Sequence, residues 1–282
     1  MKIKSLQHII FSQLQTRFER SEVKVFTDML LQHYTGYNSI FLNLNPHTEI
    51  ENAVIKQIDN AIAELFEHKP IQYILGETEF CGLKFKVNPS VLIPRPETEE
   101  LVMWILSENP QAKNFLDLCT GSGCIAVSLS KKLKNTCLTG IDISCEALKV
   151  AQENAKLNNV EIYFFTADIL QPDISLNKKF DVIVSNPPYV RESEKRQMHT
   201  RVLNYEPHSA LFVNDDNPLL FYNAIARIGT THLIGKGKLY LEINEAYGKE
   251  IANLLQQFDY KDIVLKKDIH GKDRMICGTK SC

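Results

Sequence analysis

The chain has 282 residues, 44% of them hydrophobic and 23% charged, the make-up of a globular protein with room for one large domain and a small one. Lys+Arg 32 against Asp+Glu 34 leaves a net charge of -2, so no global basic field draws in nucleic acid and no direct nucleic-acid binding is expected. No segment approaches the roughly 20 apolar residues of a membrane span, the start lacks the apolar core of a signal peptide, and the 7 cysteines are odd in number and contain no C-x-x-C pair. A membrane, a disulfide framework and a zinc site are therefore excluded as expectations; no metal ligand set is expected, and the chain reads as cytoplasmic.

Residues 1–70 read as a small helical bundle. Thr48-Glu49-Ile50-Glu51 has the form of a capping box, and Ile50, Val54, Ile58, Ile62 and Leu65 follow at helical spacing. Its expected role is recognition rather than chemistry. Over 71–95 the period changes: Leu83, Phe85 and Val87 alternate with Lys84 and Lys86, and Asn88-Pro89-Ser90 marks a turn, so a β-hairpin linker is expected. The acidic run in Pro96-Glu97-Thr98-Glu99-Glu100 suits the first turn of a helix that carries Leu101, Val102, Ile105 and Leu106.

From residue 113 strands and helices alternate, the pattern of a parallel sheet covered by helices on both faces. Strands are predicted at 114–118, 137–141, 161–165, 180–185, 238–243, 260–265 and 273–278, with helices starting near 123, 144, 217 and 246. In such sheets ligands sit at the carboxyl ends of the strands, where the strand order reverses. The first strand ends in Cys119-Thr120-Gly121-Ser122-Gly123, whose glycines admit close backbone approach and whose following helix start offers free N–H groups. With Ala126 it satisfies G-x-G-x-x-A, which does not separate a nicotinamide cofactor from S-adenosylmethionine. Asp142 ends the next strand, at the place where a carboxylate accepts ribose hydroxyls; the competing role, N-cap of the next helix, falls more naturally to Ser144. Asp168, past the third strand and beside Ile169, suits the amino group and face of an adenine, with a simple loop cap as the competing reading.

The fourth strand, Phe180 to Ser185, runs into Asn186-Pro187-Pro188-Tyr189. The lone pair of an amide or arylamine nitrogen is delocalised and attacks poorly unless it is aligned. The Asn186 side-chain carbonyl and the Pro187 backbone carbonyl are two acceptors for both hydrogens of one planar NH2 group, and Tyr189 offers a ring to its flat face. The expected chemistry is methylation of an amide or amino nitrogen. The mixed-charge stretch 190–204 reads as a solvated, mobile loop, with a lid as the alternative role.

The cofactor loop followed by this turn resembles Rossmann-like methyltransferases that modify amide or exocyclic amino nitrogens. Ile93-Pro94-Arg95-Pro96-Glu97-Thr98-Glu99, Tyr205-Glu206-Pro207 with Ala210-Leu211, and Asp268 through Arg274 narrow the likeness to the peptide chain release factor glutamine methyltransferases, across nearly the whole chain. The resemblance implies an α/β fold: a seven-stranded Rossmann-like class I methyltransferase domain over 96–282, preceded by the helical bundle (1–70) and the hairpin (71–95). It implies methyl transfer from S-adenosyl-L-methionine, giving S-adenosyl-L-homocysteine, to the glutamine of the Gly-Gly-Gln motif of release factors, by a monomeric enzyme. Cofactor positions carry over onto Cys119, Thr120, Gly121, Ser122, Gly123, Asp142, Asp168, Ile169 and Asn186. The substrate clamp carries over onto Asn186, Pro187, Pro188 and Tyr189, with Asn186, Pro187 and Tyr189 catalytic. Cys119 departs from the family's usual glycine, and 242–248 departs from its commoner Gly-Gln pair, so Glu245 and Tyr247 receive no role. Glutamine methylation on a ribosomal protein uses the same chemistry. Adenine-N6 methylation of nucleic acid shares the clamp but needs a grip on phosphates; a nicotinamide oxidoreductase leaves the Asn-Pro-Pro-Tyr turn without a task, and a non-catalytic binding module is the remaining class, which cofactor titration exposes.

Overall fold

Ile3, Leu6, Ile10 and Leu14 recur every three or four residues, which puts them on one face of α1 (Ile3–Leu14), and all four are buried. With α2 (Arg20–Thr35), α3 (Ser39–Leu44), α4 (Asn52–Phe66) and α5 (Ile71–Leu75) that face builds a helical core including Val23, Leu30, Ile58 and Leu65. The computed structural model describes residues 1–171, 174 and 176–282. The chain divides into two compact units, Met1–Gly76 with Thr200–Tyr205, and Glu77–His199 with Glu206–Cys282.

Two readings of the sequence are corrected by these elements. The capping box at Thr48 does not form; α4 begins at Asn52 after Glu51, which makes no side-chain cap. The backbone of that segment is taken by the chain start instead: Ile3 N–H donates to the Thr48 carbonyl (3.0 Å), Ile50 N–H to the Met1 carbonyl (2.7 Å), and Lys2 bridges Glu49. The stretch 190–204, expected as a solvated loop, carries short regular elements: β7 (Val190–Arg191), a 3₁₀ turn over Glu192–Gln197, and α9 (Thr200–Tyr205). α9 belongs to the helical unit, where Arg201 pairs with Glu22 (2.9 Å), its guanidinium lies over the Phe18 and Phe26 rings, and the Tyr205 hydroxyl donates to the Glu67 carbonyl (2.7 Å).

The second unit opens with the hairpin β1 (Glu77–Phe80) and β2 (Leu83–Lys86), then α6 (Pro96–Glu108), whose first-position proline and first-turn Glu97 and Glu99 match the expected helix start. There follow β3 (Asn114–Leu118), α7 (Cys124–Lys132), β4 (Cys137–Asp142), α8 (Cys145–Leu157), β5 (Tyr163–Thr166), β6 (Phe180–Ser185), β8 (Phe212–Val213), α10 (Leu220–His232), β9 (Leu233–Glu242), α11 (Gly248–Gln257), β10 (Tyr260–Lys267) and β11 (Asp273–Lys280). The seven-stranded sheet has the order β10-β11-β9-β6-β3-β4-β5. It is mixed rather than wholly parallel: β11 runs antiparallel to both β9 and β10, because the turn at 268–272 is too short for a crossover and permits only a hairpin. Strand β9 starts at Leu233 rather than 238, directly off α10, and α10 and α11 start a little later than predicted, at Leu220 and Gly248.

Successive residues of a strand point to opposite faces, and the cores follow. Val182 and Val184 of β6 join α6, α7 and α8 on one face, while Ile183 joins α10 and α11 on the other. The chain leaves β3 outward to β4 and β5, then returns to β6 on the far side of β3, so the order reverses between β3 and β6. That reversal sets the crevice at the carboxyl ends of β3, β4, β5 and β6. Among the described residues no helix is long and apolar enough to cross a membrane, and all seven cysteines are free.

Candidate active site

The loop after β3 is held from below. Thr120 N–H donates to the Ile141 carbonyl (2.9 Å), the Thr120 hydroxyl to Asp117 Oδ2 (2.6 Å), and Gly121 N–H to Asp142 Oδ2 (2.8 Å). Cys119, Gly121 and Gly123 have φ of 59°, 54° and 77°, so every second residue of the loop is left-handed, a conformation natural to glycine and costly to cysteine. Asn154 of α8, fully buried, donates to the Ser122 carbonyl (2.9 Å) and brackets the Lys86 backbone, accepting from its N–H (2.6 Å) and donating to its carbonyl (3.0 Å). The hairpin and the loop thus share one carboxamide.

Above the loop lies a cavity of about 350 Å³. Of the predicted positions, Cys119, Thr120, Gly121, Ser122, Asp142, Asp168, Ile169, Asn186 and Pro188 line it, joined by Arg95, Thr98 and Phe212 among others; Gly123, Pro187 and Tyr189 do not. Asp142 also accepts from Ser144 N–H (2.9 Å), while Ser144 itself caps α8, its hydroxyl oxygen accepting from Ala147 N–H (3.1 Å). Burial raises the Asp142 carboxyl, and the backbone donors Ser144, Gly121 and Ile143 pull it back. Asp168 binds its own loop, accepting from Leu170 N–H (2.9 Å) and the Gln171 side-chain amide (3.1 Å), with Ile169 buried beside it.

Past β6, whose Ser185 hydroxyl donates to the Leu118 carbonyl (2.6 Å), the Asn186 amide nitrogen donates to the Thr98 hydroxyl (3.2 Å). Among the described residues no donor reaches Asn186 Oδ1 or the Pro187 carbonyl. The Tyr189 hydroxyl donates to Glu242 Oε1 (3.0 Å), and the Thr98 hydroxyl to Glu242 Oε2 (2.6 Å). Glu242, at the carboxyl end of β9, is 1% exposed. Burial raises its carboxyl, opposed by the donors Thr98 and Tyr189 and by Arg274; burial and the Glu242 charge push the Tyr189 phenol up. Asn244 ties the turn further, donating to the Tyr189 carbonyl (3.1 Å).

Thr98, Glu242, Asn154 and Glu206 escaped the sequence reading as individual residues. Thr98 and Glu206 fall inside the stretches that carry the resemblance, Pro94 to Glu99 and Tyr205 to Pro207, which was their only signal. Nothing local marks Glu242 or Asn154 as other than strand-end and helix-surface polar residues. Glu206 is buried and accepts from Arg95 Nη2 (2.5 Å) and Ile93 N–H (3.2 Å).

Two family models match the chain, a PrmC N-terminal domain over residues 7–76 and a methyltransferase small domain over 97–211. A release factor glutamine methyltransferase of Flavobacterium psychrophilum is 48% identical over 281 residues, 98% of this chain and 98% of that protein. One from Bacteroides thetaiotaomicron is 41% identical over 271 residues, covering 96% and 98%. Among solved structures, a methyltransferase from Pyrococcus furiosus superposes with a TM-score of 0.53 at 18% identity, covering 71% of this chain and 90% of that one, a likeness of fold. Sequence, sheet order and the cavity at the strand ends agree: the chain is a methyltransferase of Rossmann-like α/β fold and belongs to the release factor glutamine methyltransferase family.

Proposed function

We propose that this enzyme transfers a methyl group from S-adenosyl-L-methionine to the side-chain N5 of the glutamine in the Gly-Gly-Gln motif of peptide chain release factors. The observation that supports this most is the state of the Asn186 carboxamide: its nitrogen is spent on Thr98, while its oxygen and the neighbouring Pro187 carbonyl accept from no donor among the described residues. Two acceptors match the two hydrogens of a glutamine carboxamide nitrogen.

The cavity fits an adenosine-bearing sulfonium donor. Its volume is in the range of small-molecule sites, Asp142 and Asp168 line it as acceptors suited to ribose and adenine donors, and Ile143 and Ile169 line it as apolar cover. Gly121 has open space where a Cβ would stand, so a ligand can approach the backbone there. When bound, S-adenosyl-L-methionine supplies an electrophilic methyl carbon and leaves as S-adenosyl-L-homocysteine. The chain's own residues then have three tasks. Cys119, Thr120, Gly121, Ser122 and Gly123, with Asp142, Asp168 and Ile169, hold the donor; Asn186, Pro187, Pro188 and Tyr189 hold the amide, Tyr189 by fixing the turn through Glu242; and the walls exclude water. Asn186 and Pro187 take the two N–H hydrogens and aim the lone pair, an alignment that accounts for about 7–11 kcal/mol of barrier in well-oriented reactions. As the N–C bond forms and the C–S bond breaks, the nitrogen becomes acidic and loses its proton to water, so no strong base is required. The helical unit grips the release factor away from the glutamine and raises the local concentration of its loop. The enzyme acts in the cytoplasm as a monomer, without direct contact to nucleic acid.

Purified enzyme, S-adenosyl-L-methionine and unmodified release factor are to be mixed and the Gly-Gly-Gln peptide read by mass spectrometry, with Asn186→Ala as control. One methyl group on the glutamine, lost in the control, is expected. Absence of the methyl group despite measured cofactor binding overturns the substrate and redirects it to a ribosomal protein; an unimpaired Asn186→Ala variant overturns the clamp.

A further inference from the structure

We infer that Thr98, with its proton committed to the buried Glu242 carboxylate, is a positioning residue that fixes which end of the Asn186 carboxamide faces the substrate. The inference rests on the proposed amide chemistry and assigns the residue that makes the clamp an acceptor.

A threonine hydroxyl has one proton and two lone pairs. That proton goes to Glu242 Oε2 at 2.6 Å, a short contact of the charge-assisted kind. Glu242 Oε1 is occupied by the Tyr189 hydroxyl (3.0 Å), and the Glu242 backbone carbonyl by the Tyr222 hydroxyl (3.4 Å). Burial raises the Glu242 carboxyl and Glu97 from α6 adds to the rise, while the two hydroxyl donors and Arg274 from β11 favour the ionised form. With its proton spent, Thr98 presents only lone pairs to Asn186, 3.2 Å away. Nδ2–H satisfies that oxygen; Oδ1 in the same place would set two acceptors face to face without a proton between them. The carboxamide is therefore locked with Oδ1 on the other side. The distinction decides the chemistry, because an N–H aimed at the substrate would repel the very hydrogens the clamp must accept. Residues 98, 186 and 242 reach this arrangement from α6, the turn after β6, and β9, and Thr98 and Asn186 both line the cavity. Thr98 is 2% exposed, so water does not compete for the bond.

The full-length enzyme is to be compared with Thr98→Val, which keeps the shape and removes the hydroxyl, and Thr98→Ser, which restores it. On release factor, Thr98→Val is expected to lower kcat by about tenfold to a hundredfold with cofactor affinity unchanged, and Thr98→Ser to retain turnover. In an Asn186→Ala background Thr98→Val should cost nothing further, since the residue acts through Asn186. An equal loss in both backgrounds, or full turnover of Thr98→Val, overturns the inference. A readout that needs no turnover separates it from the substrate assignment: the Asn186 side-chain NH2 signals, identified by their loss in Asn186→Ala, are expected to exchange with solvent several-fold faster in Thr98→Val and at the parent rate in Thr98→Ser. Unchanged exchange in Thr98→Val overturns the lock. Faster exchange in an enzyme that fails to methylate release factor upholds the lock and rejects only the substrate.

Discussion

Arg95 and Glu206, far apart in sequence, meet at 2.5 Å where the segment before α6 faces the segment after α9. Both segments line the cavity, through Pro94 and Arg95 on one side and Pro207, Ser209 and Ala210 on the other, and the second Glu206 oxygen holds the Ile93 amide. Glu206→Ala leaves a cation and a backbone N–H without their acceptor. Because Arg95 is partly open to solvent, a loss of about 1–3 kcal/mol is expected rather than the full cost of a buried broken pair. Glu206→Gln keeps an acceptor and should lose less. Chemical denaturation of the three proteins checks the order, and an Ala variant as stable as the parent rejects the pin.

Cys119 stands left-handed where a side chain costs about 1–2 kcal/mol. Its thiol is also packed, so replacing it loses contacts. Comparing two variants that both lack the thiol isolates the backbone: Cys119→Gly is expected to be about 1 kcal/mol more stable than Cys119→Ala, the reverse of the usual preference. Equal or inverted stabilities by denaturant melting would show that the loop carries no strain there.

Asp117 is buried beneath the same loop. Burial raises its carboxyl from 3.8 to about 7, the Thr120 hydroxyl and Ala126 amide resist, and the Asp142 charge adds to the rise. The folded protein therefore retains a proton that the unfolded chain releases above pH 4. Stability from this group is complete below its unfolded value and is lost as pH rises through 7. Asp117→Asn removes the titration, so its stability relative to the parent should improve between pH 5 and pH 8. A difference that stays flat across that window contradicts the assignment.

Gly140 pairs with Phe164 across β4 and β5, and a Cβ at Gly140 would lie 2.6 Å from Phe164 Cδ1 and 3.2 Å from Thr120 Oγ1. Gly140→Ala is expected to cost about 1–3 kcal/mol by overpacking. In a Phe164→Leu background the cost should shrink, because the ring is the obstacle. A cost that persists undiminished points to Thr120 instead.

The parts of the site that could be read in the sequence are those built from one strand and the residues that follow it. Cys119 to Gly123, Asp142, Asp168 and Asn186 each end or closely follow a strand, and alternation of strands and helices is enough to predict that such ends gather. What could not be read depends on which distant elements become neighbours. Glu242 reaches Tyr189 because β9 is inserted between β6 and β11, an order that no local period records. The false capping box at Thr48 has the same origin: a good local pattern lost its backbone to Met1 and Ile3. The antiparallel β11 was hidden because strand candidates carry no direction, and only the short turn at 268–272 decides it.

The chain enters the second unit after Gly76, returns to the first for Thr200–Tyr205, and leaves it again at Glu206. The helical unit is thus stitched rather than hung from a single thread. Cutting the gene before residue 77 removes five helices but strands a sixth, with Arg201 and Tyr205 stripped of Glu22, Phe18, Phe26 and Glu67. A clean separation of the two units needs two excisions, and a protease that nicks only the first junction leaves both halves still held together.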